Sequence, residues 1–224
     1  GWTLQAEIRI SEVSGTTYGK SPSQLYGRGF SYLITGYDDS DTEPGIYVHT
    51  NDDGTAYYGK QIWSQVAKLV PSDTYADDEF GKHMVSDENT LIVSAPYSDV
   101  AGDTDAGAVY IFNGTLRHWT QIQRLTAPDA SAGDLFGELM SMHADRLVIS
   151  CKESVGDWFK DSAATATVGA AYVYDRDPTL ATWSRSAKLH PNDMDVGNYF
   201  GSGVSVYDDW VVGSAVNDFE TGLR

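Results

Sequence analysis

WTQIQRLTAPDASAGDLFGELMSM (residues 119–142) decides the fold. A Trp-led, alternating segment ends in Arg124-Leu125. A loop holding Asp129 and Asp134 follows and runs into Phe136-Gly137. The same phrase returns as WSQVAKL (63–69) ahead of Phe80-Gly81, and as WSRSAKL (183–189) ahead of Phe200-Gly201. Trp63, Trp119 and Trp183 are 56 and 64 residues apart, and Phe80, Phe136 and Phe200 repeat that same pair of spacings. Self-similarity at this period marks an array of like units, each hiding its apolar surface against the next.

Outward from that stretch, strand signals are short and evenly spaced. The second unit reads FGKHMVS (80–86), TLIVSAP (90–96), GAVYIF (107–112) and WTQIQRL (119–125). The third reads FGELMSM (136–142), RLVISCK (146–152), GAAYVYD (169–175) and WSRSAKL (183–189). Val, Ile, Tyr and Trp dominate these runs, and Gly, Asp, Asn and Pro separate them. No stretch has sustained helical periodicity. Four strands per unit predict an all-β chain, a β-propeller of four-stranded antiparallel blades.

The first unit is degenerate. Tyr26-Gly27 stands for Phe-Gly, YLITGY (32–37) and GIYVHT (45–50) are its middle strands, and QIWSQVAKL (61–69) is its outer strand. The expected organisation is an outer strand plus loop (1–25), blades at 26–69, 80–125 and 136–189, and an incomplete blade at 200–224. The last unit gives FGSGVSVY (200–207), WVVGSA (210–215) and NDFETG (217–222), then Leu223-Arg224. An unfinished blade leaves unpaired edges, which folded β-proteins avoid. Three and a half blades are therefore expected to belong to a larger ring, completed by the same longer chain or by another chain.

The balance of 32 acidic against 15 basic residues gives a net charge of −17. Such a surface repels nucleic acid and anionic membrane. It suits cations or a calcium-rich medium, or it serves solubility alone. Cys151 is the only cysteine, so no internal disulfide can form. No apolar run approaches the roughly 18 residues of a membrane span. The opening GWTLQAEIRI has no basic-then-apolar leader pattern. Asn113-Gly114-Thr115 is a glycosylation sequon, relevant if the chain is secreted.

Phe80-Gly81 followed by Ile92-Val93-Ser94-Ala95-Pro96 resembles the FG-GAP repeat of integrin α-subunit propellers. Looser copies are Ile149-Ser150-Cys151-Lys152 and Val212-Gly213-Ser214-Ala215. The likeness runs from about Tyr26 onward. It implies a propeller acting by binding, as an adhesion or recognition module at the cell surface or outside the cell. One departure limits it. Integrin-type blades carry an Asp-x-Asp-x-Asp-Gly calcium loop between first and second strands. Here those connections are SDEN (86–89), HAD (143–145) and YDD (207–209), too short to supply the six to eight oxygens calcium takes. The chain is closer to the short-turn variety of microbial and algal surface proteins, and the integrin metal sites are not carried over.

The carboxylates sit elsewhere. In a four-stranded meander, connections alternate between the two ends of the blade, so loops after the second and fourth strands share one face. Before each Phe-Gly runs a pair: Asp73/Asp78, Asp129/Asp134 and Asp193/Asn198. After each second strand runs an acidic loop: Asp38, Asp39 and Asp41; Asp99, Asp103 and Asp105; Asp218 and Glu220. The opposite face takes the short turns and Asn113. Two readings of the pairs stand side by side. Their carboxylates hold tight turns by accepting from backbone amides, or they bind Ca2+ together with backbone carbonyls. The repeated Trp, Lys/Arg-Leu and Phe-Gly are read as structural, and Cys151 as a small buried residue.

Catalysis finds little support. His49, His83, His118, His143 and His190 are scattered, with His83 placed in a first strand, and no nucleophile elbow or phosphate loop occurs. The expectation is a non-enzymatic, extracellular binding or adhesion module. It would recognise a protein or glycan partner through one acidic face, with calcium assisting. The alternatives are a propeller-scaffold hydrolase or lyase acting on polysaccharide or phosphoester, and a structural part of a surface fibre.

Overall fold

The computed structural model describes residues 31–36, 45–50, 64–87, 89–115, 118–152, 168–191 and 198–216. They form four antiparallel sheets, the blades of a β-propeller, with strands adjacent in chain order. Blade 1 shows β1 (Ser31–Gly36), β2 (Gly45–Thr50) and β3 (Ser64–Leu69). Blade 2 holds β4 (Met84–Ser86), β5 (Thr90–Ala95), β6 (Ala108–Thr115) and β7 (His118–Leu125). Blade 3 holds β8 (Met140–His143), β9 (Arg146–Cys151), β10 (Ala170–Arg176) and β11 (Trp183–Leu189). Blade 4 shows β12 (Gly203–Tyr207) and β13 (Trp210–Ser214). The Tyr26-Gly27 reading and the outer strand expected near residues 2–10 lie outside the described residues.

Strand β5 is buried along its whole length, because both of its faces meet a neighbouring blade. Its residues divide by parity, as a pleated strand requires. Leu91 and Val93 join Leu69, Phe80, Met84, Tyr110 and Phe112 at the blade 1–2 joint. Ile92 joins Ile111, Phe136, Leu147, Ile149, Tyr172 and Trp183 at the blade 2–3 joint. Val148, Ala171 and Val173 then meet Phe200 and Val206 at the blade 3–4 joint. Tyr110, Tyr172 and Phe136 are fully buried, and side chains of that size stabilise by about 2–3 kcal/mol each on leaving water. Phe136 packs edge-on to Tyr172 at 5.6 Å and Tyr174 at 6.3 Å between centroids. Burial also pushes the Tyr174 hydroxyl up to about 12.

In blades 2, 3 and 4 the first strand is shorter than its sequence suggests. Phe-Gly lies ahead of it, in a tight turn, and so does His83. Glu79, Leu135 and Tyr199 have φ of 52°, 54° and 49°. The following glycines are left-handed too, at 99°, 99° and 93°. Four residues held in a turn cannot join a ladder, so β4 starts only at Met84 and β8 at Met140.

That turn is half of a backbone joint. The Phe136 amide donates to the Ala106 carbonyl at 3.0 Å, and the Phe200 amide to Val168 at 2.9 Å. The other half is the Gly of Gly-x-x-Tyr. A Cβ on Gly107 would stand 2.3 Å from the Phe136 oxygen, and one on Gly169 2.1 Å from the Phe200 oxygen. The two signature motifs are thus the two sides of one contact between successive blades. Only glycine lets the main chains approach so closely.

Each of the three described outer strands carries a bulge at the same place, opposite Val48/His49, Ile111/Phe112 and Val173/Tyr174. A bulge twists an edge out of register with any passing strand. The Gln123 side chain adds a bond between neighbouring edges. Its Nε2 donates to the Trp183 carbonyl and its Oε1 accepts from the Trp183 amide, both at 2.8 Å.

Candidate functional site

The loops at one end of the blades are joined by main-chain bonds. Residues 99–107, after β5, meet residues 131–136, which lead into blade 3. The Gly133 amide donates to Thr104 at 2.8 Å and the Leu135 amide to Asp105 at 3.1 Å. Within the first loop, Val100 and Asp103 exchange backbone hydrogen bonds at 2.9 and 3.0 Å. Asp99 Oδ1 accepts from the Asp105 amide at 3.1 Å. Asp105 is left-handed, at φ 56°, a conformation that Asp tolerates better than most residues. Acidic loops from two successive connections thereby form one surface.

The Asp-x-x-x-x-Asp pairs divide their labour. The second member caps its own turn. Asp78 Oδ2 accepts from the Tyr75 amide at 3.0 Å and from Ser98 Oγ at 3.2 Å. Asp134 Oδ2 accepts from the Ser131 amide at 2.9 Å. Both are buried, as is Asn198 at the matching place in blade 4. Burial raises the Asp78 carboxyl above its ordinary value, outweighing the hydrogen bonds from Tyr75 and Ser98 that favour its charge.

The first member pairs with a cation of its own blade. Asp129 accepts from the Tyr172 hydroxyl at 2.6 Å and from Lys188 Nζ at 2.5 Å. Asp73 lies 3.2 Å from Arg124 Nε, which also donates to the Tyr110 hydroxyl at 3.3 Å. The cations sit over the same tyrosine rings, Lys188 at 5.3 Å from Tyr172 and Arg124 at 5.7 Å from Tyr110. Burial alone would push the Asp129 carboxyl up. The Lys188 and Tyr172 bonds and the Lys188 charge outweigh it and hold it below the ordinary value.

Strand register brings this triad together. Tyr110 stands opposite Arg124, and Tyr172 opposite Lys188. Tyr47 is likewise registered with Lys68 in blade 1. The signal was present in the sequence, in the recurrence of both Gly-x-x-Tyr and Lys/Arg-Leu, but joining the two required the bulged register.

Other candidates disperse. Asp38, Asp39, Asp41, Asp193, Asp218 and Glu220 lie outside the described residues. Asn113 lies inside β6 rather than in a turn, with its backbone between Thr90 and Thr120. Cys151 is buried, its thiol 3.4 Å from the Asp134 carbonyl oxygen. Burial lowers the His83 imidazole below its ordinary value. Among the described residues, no three of His, Cys, Asp and Glu are grouped so that they could hold a metal ion. No helix among them is long and apolar enough to cross a membrane.

The opposite end of the blades is knit by arginines. Arg176 of blade 3 donates to Thr90 Oγ1 of blade 2 at 2.9 Å and pairs with Asp87 at 3.0 Å and Asp145 at 2.7 Å. Arg146 pairs with Asp175 at 2.8 Å and reaches the Asp208 carbonyl and Asp209, both at 3.4 Å. The His143 ring accepts from the Asp208 amide at 3.0 Å.

Comparison with known proteins agrees with this architecture. No match is found among proteins of curated function. The model of a family described as FG-GAP repeat matches residues 63–112, 119–174 and 183–223. Each match starts at an outer-strand Trp and runs across a joint into the next blade. Matched over more than half its length, and folded into the blades that the repeat implies, the chain belongs to the FG-GAP repeat family.

Proposed function

We propose that this chain is an extracellular binding or adhesion module that recognises a protein or glycan partner through the acidic loop face. FG-GAP repeats occur in modules of the binding and adhesion type. The observation carrying the reading is the joining of residues 99–107 to 131–136 by backbone bonds. It gives a rigid surface on which Asp103 and Asp105 have no basic side chain within 4 Å among the described residues. Carboxylates left uncompensated on a rigid surface favour a partner that brings positive charge or polar donors. Calcium would enter as a bridge between those carboxylates and the partner, not as a structural ion held by the Asp73 and Asp129 pairs, whose charge the protein's own cations already meet.

The test compares Asp103→Lys combined with Asp105→Asn against Ala144→Lys at the opposite end. Binding is read by surface plasmon resonance to immobilised polylysine and on a glycan array, with calcium and with chelator. The loop variant should lose at least tenfold in affinity on whichever surface the parent binds, and the turn variant less than twofold. Equal losses from both would defeat the assignment of the face. Indifference to chelator would remove calcium alone.

A further inference from the structure

The short-turn end closes its two joints with different chemistry at matching positions. Seven and ten residues after Phe, blade 2 has Asp87 and Thr90, and both meet Arg176 of blade 3. Blade 3 has His143 and Arg146 there, and both meet the turn of blade 4. The Asp208 amide lies 3.0 Å from His143 Nδ1. A backbone N–H can only donate, so that ring nitrogen must carry a free lone pair. The imidazole also packs on the Tyr207 ring, 4.4 Å between centroids and tilted by 40°. His143 therefore holds two successive residues of blade 4, and one of the two contacts exists only while Nδ1 bears no proton.

We infer that His143 is a pH-sensitive latch, whose protonation releases the blade 4 turn and loosens the joint between blades 3 and 4 at the short-turn end, while the joint between blades 2 and 3 stays closed. Histidine is the side chain that ordinarily changes charge between pH 5 and 8. Once Nδ1 gains a proton, two N–H groups face each other and the hydrogen bond is lost. The latch is closed above the titration of the ring and opens as pH falls through it. The surrounding charges favour release. On β9, Arg146 stands opposite His143 in the ladder, and its charge opposes a second positive one. On the blade 4 turn, Tyr207 stacks on the ring, and Asp208 and Asp209 bring exposed carboxylates that offer a charged ring a partner other than the amide. Asp175 on β10 is engaged by Arg146, and Asp145 in the β8–β9 turn by Arg176. With the latch open, Arg146 alone reaches the turn, 3.4 Å from the Asp208 carbonyl and from Asp209. The other joint has no such response. Burial works against the Arg176 charge, but Asp145 and Asp87 outweigh it and raise the guanidinium above its ordinary value.

Amide hydrogen exchange followed by NMR tests this, with each rate divided by the intrinsic rate at the same pH. The probe is the Asp208 amide. The control at the same joint is the Val206 amide, which donates to Ser141 Oγ at 3.0 Å. Between pH 7.5 and 5, protection of Asp208 should fall about tenfold, along the titration curve of the His143 ring protons, while Val206 changes less than about twofold. His143→Phe keeps a ring against Tyr207 but has no acceptor. In that variant the Asp208 amide should be unprotected at both pH values. Unchanged protection of Asp208 across the range would show the charged ring still held in place, and would overturn the inference. A pH response that survives in His143→Phe would assign the titration to another group and overturn it as well. A parallel fall at Val206 would mean that blade 4 loses its packing as a whole, and would replace the latch by general acid instability.

Discussion

The two ends of the blades handle an excess of carboxylates in opposite ways. At the short-turn end, Arg146 and Arg176 span from blade to blade and meet Asp87, Asp145, Asp175 and Asp209. At the loop end, the cations stay within their own blade, Arg124 on Asp73 and Lys188 on Asp129. The blades are joined there by main chain, and Asp103 and Asp105 make no ion pair among the described residues. Where side chains do the joining, charge is consumed. Where the backbone does it, the charge of Asp103 and Asp105 stays uncompensated among the described residues.

The backbone joint gives the largest expected effect. Gly107→Ala places a Cβ 2.3 Å from the Phe136 carbonyl oxygen at a residue with φ of 90°. Main chain cannot yield as a flexible side chain does. The variant should lose about 3 kcal/mol or more, read as a large fall in the denaturant midpoint. A loss below 1 kcal/mol would mean that the loop end is not held by this contact.

The arginine end should respond less. Arg176→Met keeps the alkyl stem but strands Asp87 and Asp145, which are partly exposed and so partly solvated. A loss of about 2 kcal/mol is expected, and it should shrink in high salt. A salt-independent loss would assign Arg176 to packing on Trp183 instead.

Lys188→Met should cost about 1 kcal/mol at neutral pH, because Asp129 keeps its Tyr172 bond. Its pH dependence is more telling. Asp129 has a lowered folded-state value, so its contribution is complete above the ordinary 3.8 and fades as pH falls through the folded value. Parent and variant melting points should differ above pH 4 and converge toward pH 2. A gap that persists at pH 2 would show that the pair is not electrostatic.

Much of the fold was legible before any coordinates. Period-two alternation and the fixed spacing of Trp and Phe predict the sheets, their order and their antiparallel pairing. The first strands are shorter than alternation predicts, because left-handed residues such as Glu79 and Leu135 have side chains that do not announce that conformation. Site chemistry was less legible. Alternation says which side of a strand a residue faces but not which neighbour it meets. Arg176, Thr90 and Asp87 are far apart along the chain and converge only when two blades stack. The joining of Tyr110 to Arg124 depends on a bulge that no residue type signals. Of the two readings of the Asp pairs, amide capping is what Asp78 and Asp134 display.

A coupling made of main-chain atoms and a glycine does not inspect the identity of what it couples. At that joint the main chain makes the same contact whatever side chains flank it, while the apolar clusters and arginine bonds beside it must still match from blade to blade. The connections between strands remain free to lengthen and diversify, much as the 64-residue spacing has outgrown the 56-residue one.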